Sequence, residues 1–215
     1  MKKIAVLGSG TVGQVLADGF LKHGYDVMRG SREPAKMSEW KSKAGPKAAT
    51  GTFADAAKWG ELVVLAVKGT AAESALDLAG GANVAGKTVI DTCNPIADAP
   101  PTHGVLHYFT TLEESLMERL QTRVPAARFV KAFSCVGNAF MVNPQLPGGP
   151  PTMFMCGNDA AAKDEVKKIL VQFGWDIEDL GGVEAARAIE PLCILWCLPG
   201  FLGNRWTHAY KVLRK

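Results

Sequence analysis

The sequence predicts an α/β protein built on a doubly wound, mostly parallel sheet, with a small C-terminal α/β lobe that ends in long helices. Two observations carry this prediction. Short apolar runs alternate with segments of helical spacing over about the first 135 residues, a pattern typical of repeated strand–helix–strand units. A proline- and glycine-rich segment at residues 147–151 then interrupts the alternation, and a shorter set of strands and helices follows it.

The first third of the chain contains the clearest strands. Residues 2–7 and 62–67 are short, nearly continuous apolar runs, as expected of strands buried on both faces of a parallel sheet. Between them we expect a helix that ends at Gly24, a helix at 33–43 with Pro34 in its first turn, strands at 25–28 and 47–50, and a helix at 53–59.

The rest of the chain continues the pattern and then changes. We expect helices at 70–79 and 113–122, strands at 88–91 and 128–133, and, after the break, a strand at 152–156, a helix at 159–173 and a strand at 175–177. A long helical tail starts at Val183, and Pro191 and Pro199 should kink or divide it. The break predicts a first domain of residues 1–147 and a lobe of residues 148–215.

Charge and hydropathy exclude several classes of protein. The chain has 24 Lys and Arg against 21 Asp and Glu, a net charge of +3 without a basic block, so we expect no nucleic-acid partner. The longest apolar stretch, residues 191–203, is shorter than the roughly 20 residues of a membrane span. A signal peptide is not visible. These observations predict a cytoplasmic protein with no membrane contact.

The cysteines fit a reducing compartment. Their number is odd and their spacing irregular: Cys93, Cys135, Cys156, Cys193 and Cys197. A disulfide framework or a zinc site is therefore not expected. Cys193 and Cys197 lie four residues apart in an apolar helical stretch, and we interpret them as buried thiols on one helix face rather than as metal ligands.

A glycine-rich loop follows the first strand and opens the first helix. It consists of Gly8, Ser9, Gly10, Thr11, Val12 and Gly13. Each glycine has a physical role in this position. Gly8 allows the tight turn, Gly10 lets a pyrophosphate approach the backbone, and Gly13 lets the helix pack closely on the strand. The N–H groups at the helix start would bind the phosphates. The motif predicts a Rossmann-type dinucleotide-binding domain.

The end of the second strand indicates NADP rather than NAD. Binding of NAD usually places a carboxylate there, for the 2′-hydroxyl of the ribose, whereas this chain has Ser31 and Arg32. A hydroxyl and a guanidinium suit a 2′-phosphate, and Lys36 would add a second positive charge. We interpret Glu33 as an acid of the first helical turn, favoured by the helix dipole, and not as the carboxylate of an NAD site.

Ligands of parallel sheets lie beyond the carboxyl ends of the strands. The candidates there are Ala66, Val67, Lys68, Asn94, Pro95 and Ala132. Cys93 and Cys135 could also face the pocket. We predict no catalytic acid, base or nucleophile, because no Ser/His/Asp, Cys/His or paired-carboxylate arrangement emerges. Hydride transfer to a flavin-like acceptor depends on positioning, whereas a ketone or imine reductase usually needs a proton donor.

These motifs resemble those of the NADPH:coenzyme F-420 oxidoreductases. The segments that carry the resemblance are residues 4–13, 30–32, 91–95 and 155–159, Lys163, Val166, Lys167, and residues 179–182, 186–187 and 190–192. The fold is also similar to the reductase domain of six-transmembrane metalloreductases. The acceptor-side segments 134–138 and 142–151 depart from the family pattern.

The resemblance implies roles for particular residues. Ser9, Gly10, Thr11 and Val12 would hold the pyrophosphate, Ser31 and Arg32 the 2′-phosphate, and Val67, Asn94 and Ala132 would line the ribose and nicotinamide. The acceptor would be coenzyme F-420, a deazaflavin, or a flavin such as FMN or FAD, in a cleft closed by the C-terminal lobe. Arg187 and Glu190 would lie on the closing helix.

Two other functions are compatible with the sequence. One is an NADPH-dependent reductase of another small substrate, of the imine or hydroxyacid type. The other is an NADP(H)-binding redox sensor without catalytic activity. The apolar tail with Trp196, Phe201 and Trp206 further predicts one helical stretch that pairs two copies of the chain in a homodimer.

Overall fold

The computed structural model describes residues 2–215, and a six-stranded parallel sheet is its largest element. The strands of this sheet are β1 (Lys3–Leu7), β2 (Asp26–Gly30), β3 (Ala48–Gly51), β4 (Leu62–Leu65), β5 (Thr88–Asp91) and β6 (Arg128–Lys131). Their order is β3-β2-β1-β4-β5-β6, and all five neighbouring pairs are parallel. The predicted doubly wound α/β fold is confirmed, with the reversal of strand order between β1 and β4.

Helices cover both faces of the sheet. They are α1 (Thr11–Lys22), α2 (Ser38–Lys43), α3 (Phe53–Trp59), α4 (Ala72–Ala79), α5 (Gly81–Val84) and α6 (Leu116–Arg123). The side chains of β1 alternate between two apolar clusters: Ile4 and Val6 pack in one with α1, and Ala5 and Leu7 pack in the other with α3 and α4. Burial on both faces explains why the strand is a continuous apolar run.

The C-terminal part adds a second, two-stranded parallel sheet. It contains β7 (Thr152–Met155), α7 (Ala160–Gln172) and β8 (Asp176–Asp179). An antiparallel bridge joins it to the edge of the large sheet, where the Lys131 N–H donates to the Cys156 carbonyl at 2.9 Å. Side chains of β7 and α7 share one apolar cluster with β1 and α1. The domain boundary at residue 147 stays a prediction.

Three predicted helices begin differently from the expectation. The helices expected at 33–43 and 70–79 start as 3₁₀ turns, at Pro34–Met37 and Gly69–Ala71, before α2 and α4. The helix expected at 113–122 starts at Leu116, because Ser115 caps it: the Ser115 hydroxyl accepts from the Glu118 N–H, and the Glu118 carboxylate accepts from the Ser115 N–H. Such a capping box fixes the first residue of a helix.

The tail is only partly helical. It forms a 3₁₀ turn at Val183–Ala185, α8 (Ala186–Ile189) and α9 (Leu192–Gly203). Pro191 divides α8 from α9 as predicted, whereas Pro199 stays inside α9. Asn204 then takes a left-handed conformation, φ 51°, which ends the helix.

The expectation of one helical stretch through Trp206 is therefore wrong. Beyond Asn204 the chain turns back, and the Trp206 ring packs on Trp196 with centroids 5.7 Å apart. Further along, the Tyr210 carbonyl accepts from the Thr152 N–H at 2.8 Å. The expectation of an apolar stretch too short for a membrane span holds for residues 191–203 alone. The longer segment Val183–Gly203 has 21 residues, is apolar enough by composition to cross a membrane, and has 33% of its window buried. Length and composition of one such segment are weak evidence for a span, because helices of other kinds pass the same test.

Candidate functional site

A cleft lies at the carboxyl edge of the sheet, where the strand order reverses. It consists of two adjoining cavities of about 360 and 340 Å³, which share Gly10, Ala66, Val67 and Lys68. The first cavity lies beside the end of β2 and the second beside the end of β5. Most of the predicted site residues line one or both cavities: Gly8, Ser9, Gly10, Thr11, Val12, Ser31, Arg32, Lys36, Ala66, Val67, Lys68 and Asn94.

The glycine loop has the close contacts that its sequence predicts. Gly8 has φ +153°, and a Cβ there would lie 2.1 Å from the Ala66 carbonyl oxygen. A Cβ on Gly13 would lie 2.6 Å from the Gly8 oxygen, so this glycine serves helix–strand packing and does not line the cleft. A Cβ on Gly10 would meet nothing within 4 Å. Gly10 therefore leaves open space on the cleft side, as binding of a pyrophosphate requires.

The N-terminus of α1 is free to bind an anion. Gly10 is its N-cap, no side chain caps the first N–H groups, and the first turn contains no acidic residue. The positive end of the helix dipole therefore faces the cleft without a competing carboxylate. These residues fit a dinucleotide phosphate.

Ser31, Arg32, Glu33 and Lys36 form the wall of the first cavity beside β2. The Ser31 hydroxyl accepts from the Glu33 N–H at 3.1 Å, and the Arg32 side chain is exposed. The Glu33 carboxylate pairs with the Lys36 ammonium at 2.9 Å, and this hydrogen bond lowers the pKa of Glu33. Glu33 and the predicted second cation Lys36 thus pair with each other. Within residues 2–215, Arg32 forms no ion pair and is available to a 2′-phosphate.

Asn94 dominates the polar chemistry of the second cavity. Its amide N–H donates to the Ser134 carbonyl at 2.7 Å, which fixes the side-chain orientation. Its Oδ1 is buried and has no partner within residues 2–215. A buried acceptor of this kind usually has a partner, and a ribose hydroxyl of a bound dinucleotide could supply it.

The titratable groups of the second cavity are a lysine and a thiol. Lys68 is exposed and pairs with Asp98 at 2.5 Å. Cys93 lines the cavity but is only 1% exposed, and burial raises the pKa of its thiol well above the ordinary value. Cys135 lines neither cavity, and burial raises its pKa to about 12. Both thiols are neutral near pH 7, so neither is an activated nucleophile.

Two further predicted residues lie behind the cleft. Pro95 is buried and follows Asn94, whose carbonyl oxygen would lie 1.9 Å from a Cβ on Gly69. Ala132 is fully buried, and its N–H donates to the Asp91 carbonyl at 3.1 Å. Both residues support the loops that line the cavities.

Sequence reasoning missed one wall of the cleft. The first cavity is also lined by Phe53, Ala71, Ser74, Ala75 and Leu78, and the second by Gly69, Thr92 and Ile96. These residues are small or apolar and carry no motif, so only their position after β3, β4 and β5 could have indicated them. Every lining residue of both cavities belongs to residues 8–96. Closure of the cleft by the C-terminal lobe stays a prediction.

A buried charge cluster lies directly beneath the second cavity. The Lys131 ammonium lies 2.7 Å from Asp91 Oδ2 and 2.8 Å from Glu190 Oε1, and it donates to the Cys93 carbonyl at 2.8 Å. Burial lowers the pKa of Lys131, but the charges of Asp91 and Glu190 outweigh burial and raise it above its ordinary value. The cluster thus ties β5, β6 and the tail to the loop that carries Asn94.

Arg187 and Glu190 both face α6 in this structure. The Glu190 carboxylate accepts from the N–H groups of Leu116 and Met117 at 3.0 and 3.1 Å. The Arg187 guanidinium pairs with Glu118 through both carboxylate oxygens. Both residues therefore fix the start of α6, and neither lines the cleft.

Among residues 2–215 there is no group of three or more His, Cys, Asp or Glu side chains placed to hold a metal ion. Cys193 and Cys197 lie on α9 as expected, with their Sγ atoms 4.0 Å apart. All five cysteines are free thiols.

Comparisons with known proteins show the family to which the chain belongs. Residues 3–95 match the model of the family described as NADP oxidoreductase coenzyme F420-dependent. A solved structure from Arthrobacter sp. FB24, described as an F420-dependent NADP-reductase, is 34% identical, covers 100% of both chains and superposes with a TM-score of 0.93. The chain belongs to the coenzyme F-420-dependent NADP oxidoreductase family. It is thus a member of a family of NADP-dependent oxidoreductases, and the predicted cofactor class is confirmed at that level.

Two further comparisons extend this result. Metalloreductase STEAP3 of Rattus norvegicus is 30% identical over 222 residues, which are 99% of this chain and 42% of that protein. This chain therefore spans less than half of that curated relative. An imine reductase from Aspergillus terreus, solved with NADPH4 and dibenz[c,e]azepine, has a TM-score of 0.67 at 19% identity, over 95% of this chain and 63% of that one. This second likeness shows a shared fold.

Proposed function

We propose that this chain transfers a hydride between NADPH and coenzyme F-420 or a flavin (FMN or FAD). The observation that carries the proposal is the chemistry of the cleft. At one end, Ser31 and Arg32 are available to a 2′-phosphate. At the other end lie the Asn94 amide and the neutral Cys93 thiol, neither of which is a general acid or base near pH 7. When bound, NADPH supplies the hydride, and the proton that completes the reduced acceptor comes from water.

The residues of this chain would contribute binding and orientation. The backbone N–H groups at the start of α1 would bind the pyrophosphate. The amide oxygen of Asn94, unpartnered in its buried position, would accept from a ribose hydroxyl and so set the position of the nicotinamide. The apolar cavity wall, which includes Val12 and Ile96, would exclude water from the reacting face.

The first test compares acceptors and pH. Oxidation of NADPH is followed at 340 nm with coenzyme F-420, FMN, FAD and a cyclic imine as separate acceptors. We expect turnover with coenzyme F-420 or a flavin and a rate that stays flat between pH 6 and 8. A bell-shaped profile with the imine as the preferred substrate would favour the imine-reductase alternative. Binding of NADPH without turnover of any acceptor would favour the sensor.

The second test concerns the cofactor. Calorimetric titration should show that NADPH binds more than tenfold more tightly than NADH, a difference of about 1.4 kcal/mol or more. Arg32→Ala should remove most of this preference, because Arg32 is the unpaired charge at the end of β2. Arg205→Ala is the matched control, since Arg205 is exposed and lies outside the cleft. Equal binding of NADPH and NADH by the wild type would contradict the 2′-phosphate site.

Two further properties belong to the proposal. We propose a cytoplasmic protein, which agrees with five free thiols in a reducing compartment. We also propose a homodimer through α9, whose twelve residues include no charged side chain. Nucleic acid and membranes are not among the proposed partners.

A further inference from the structure

A buried arginine lies beneath the glycine loop, and the sequence motif does not account for it. Arg29 is on β2, one residue before Gly30, and is only 1% exposed. A buried charged side chain is costly unless it makes contacts of its own. Among the ion pairs of residues 2–215, none includes Arg29.

The guanidinium of Arg29 reaches the carbonyl oxygens of the loop. Its Nη2 donates to the Gly8 carbonyl at 3.4 Å and to the Gly10 carbonyl at 3.3 Å. The Gly10 carbonyl also accepts the first helical hydrogen bond of α1, from Gln14, at 3.0 Å. Arg29 therefore contacts two of the three peptide units at which the loop turns from strand to helix.

The position of the guanidinium is fixed from its other side. Its Cζ lies 4.7 Å from the centre of the Trp40 ring, a distance at which a cation and an aromatic face attract. The Trp40 N–H in turn donates to Asp18 Oδ1 at 2.7 Å. Burial lowers the pKa of Arg29 and the charge of Asp18 raises it. Since the ordinary pKa of arginine is far above 7, the guanidinium stays charged.

The trans peptide links these contacts to the cleft. The C=O of one residue and the N–H of the next point in opposite directions across a trans peptide. If the Gly8 and Gly10 carbonyls point at Arg29, the N–H groups of Ser9 and Thr11 point away from it. Ser9 and Thr11 line the cleft, whereas Arg29 lines neither of its cavities.

We propose that Arg29 is a positioning residue of the dinucleotide site, which holds the glycine loop so that the Ser9 and Thr11 N–H groups face the pyrophosphate. The inference rests on the proposed function. It assigns Arg29 a role distinct from that of Arg32: Arg29 acts through the loop on every ligand with a pyrophosphate, and Arg32 acts on the 2′-phosphate alone.

The experiment compares three ligands and four proteins. Calorimetry measures the binding of NADPH, NADH and adenosine 2′-phosphate, which lacks a pyrophosphate, to the wild type, Arg29→Met, Arg29→Lys and the control Arg205→Met. We expect Arg29→Met to weaken NADPH and NADH by the same factor, about tenfold or more, because charge-assisted hydrogen bonds are lost. Binding of adenosine 2′-phosphate should change less than twofold. Arg29→Lys should recover part of the loss, and Arg205→Met should resemble the wild type.

Other outcomes separate this inference from its alternatives. Weakening of NADPH and adenosine 2′-phosphate with unchanged binding of NADH would make Arg29 a ligand of the 2′-phosphate and overturn the positioning role. Equal weakening of all three ligands would indicate a general structural role and would also overturn it. If Arg29→Met does not fold, Arg29→Lys must still show the loss confined to NADPH and NADH. A wild type that binds adenosine 2′-phosphate but neither dinucleotide would refute the proposed function itself.

Discussion

An added methyl group has opposite consequences at two glycines of the same loop. At Gly8 the new Cβ would lie 2.1 Å from a backbone oxygen, at a φ of +153° that side chains rarely adopt. At Gly10 it would enter open space, and Gly10 lines both cavities of the cleft. Within three residues of this loop, one glycine is therefore needed for folding and another for ligand binding.

This contrast gives a paired prediction. Gly8→Ala should destabilise the protein by about 2 kcal/mol or more, because the clash is with backbone that cannot rotate away. Gly10→Ala should leave the melting temperature within about 2 °C and weaken NADPH at least tenfold, because the methyl group occupies the approach of the pyrophosphate. Thermal unfolding and calorimetry measure the two effects. Unchanged NADPH binding by a folded Gly10→Ala protein would show that the pyrophosphate lies elsewhere.

Residues with a motif could be placed from the sequence, and residues without one could not. The glycine loop, Ser31, Arg32 and Asn94 follow strands directly, so their position at one edge of the sheet was predictable. The wall of the first cavity that contains Phe53 and Leu78 depends on how helices pack, which spacing does not reveal. Arg29 lies outside the strand expected at 25–28, and both its burial in β2 and its contact with the glycine loop depend on the fold.

At the scale of the elements, the charge cluster around Lys131 joins three segments that are far apart in sequence. Lys131 is on β6, Asp91 ends β5, and Glu190 lies between α8 and α9. All three side chains are at least 98% buried. The Asp91 and Glu190 carboxylates both lie beside the Lys131 ammonium. Glu190 also accepts from the N–H groups at the start of α6. Removal of the cation leaves two buried carboxylates without their shared counter-ion.

Lys131→Met should therefore destabilise the protein by about 3–5 kcal/mol. Lys43→Met is the control: Lys43 pairs with Glu39 on the exposed face of α2, and its loss should cost about 0.5 kcal/mol or less. Chemical denaturation measures both. A Lys131→Met protein as stable as the wild type would mean that the carboxylates take up protons or water at no cost in free energy. That result would contradict the conclusion that the cluster depends on its cation.

The cap of α6 predicts a pH dependence. The hydrogen bond from Arg187, together with those from Ser115, lowers the pKa of Glu118 to about 2. Because the pKa is depressed in the folded state, the pair stabilises the protein above the ordinary pKa of glutamate, and this contribution is lost as the pH falls towards 2. Glu118→Gln should lower the melting temperature by roughly 2–4 °C at pH 7.

The difference between Glu118→Gln and the wild type should become smaller as the pH is lowered from 5 to 2.5. Glu39→Gln serves as the control, because Glu39 is exposed and should show a small effect at every pH. Differential scanning calorimetry across this pH range makes the measurement. A difference that stays constant down to pH 2.5 would mean that packing, and not the charge of Glu118, fixes the start of α6.

At the scale of the whole molecule, alternation of strands and helices was sufficient to predict the fold class. The order of the strands and the attachment of the second sheet were not contained in that pattern. The second sheet is attached by the bridge between Lys131 and Cys156 and by the shared apolar cluster, which are long-range contacts without a local signal. The end of α9 at Gly203 likewise depends on Asn204 and on the return of Trp206 to the helix. A prediction from local hydrophobic periodicity therefore extends the helix past the residue at which it ends.

The return of the chain covers only one side of α9. Trp196 and Trp206 pack inside, whereas Leu195, Phe201 and Leu202 are 54%, 45% and 66% exposed. An apolar surface on a helix without charged residues is complementary to a copy of itself, and a twofold contact requires this property. The exposed residues are thus the surface through which we expect two chains to pair.

Leu195→Glu should convert the dimer to a monomer, because it would bury two carboxylates at the twofold contact. Val171→Glu is the matched control, since Val171 is a similarly exposed apolar residue on α7. Size-exclusion chromatography with light scattering at micromolar concentration gives the mass of each protein, and vesicle co-sedimentation tests the alternative use of this surface. We expect a wild-type dimer, a Leu195→Glu monomer and no vesicle binding. A monomeric wild type that binds vesicles through Leu195 would assign the face of α9 to a membrane instead.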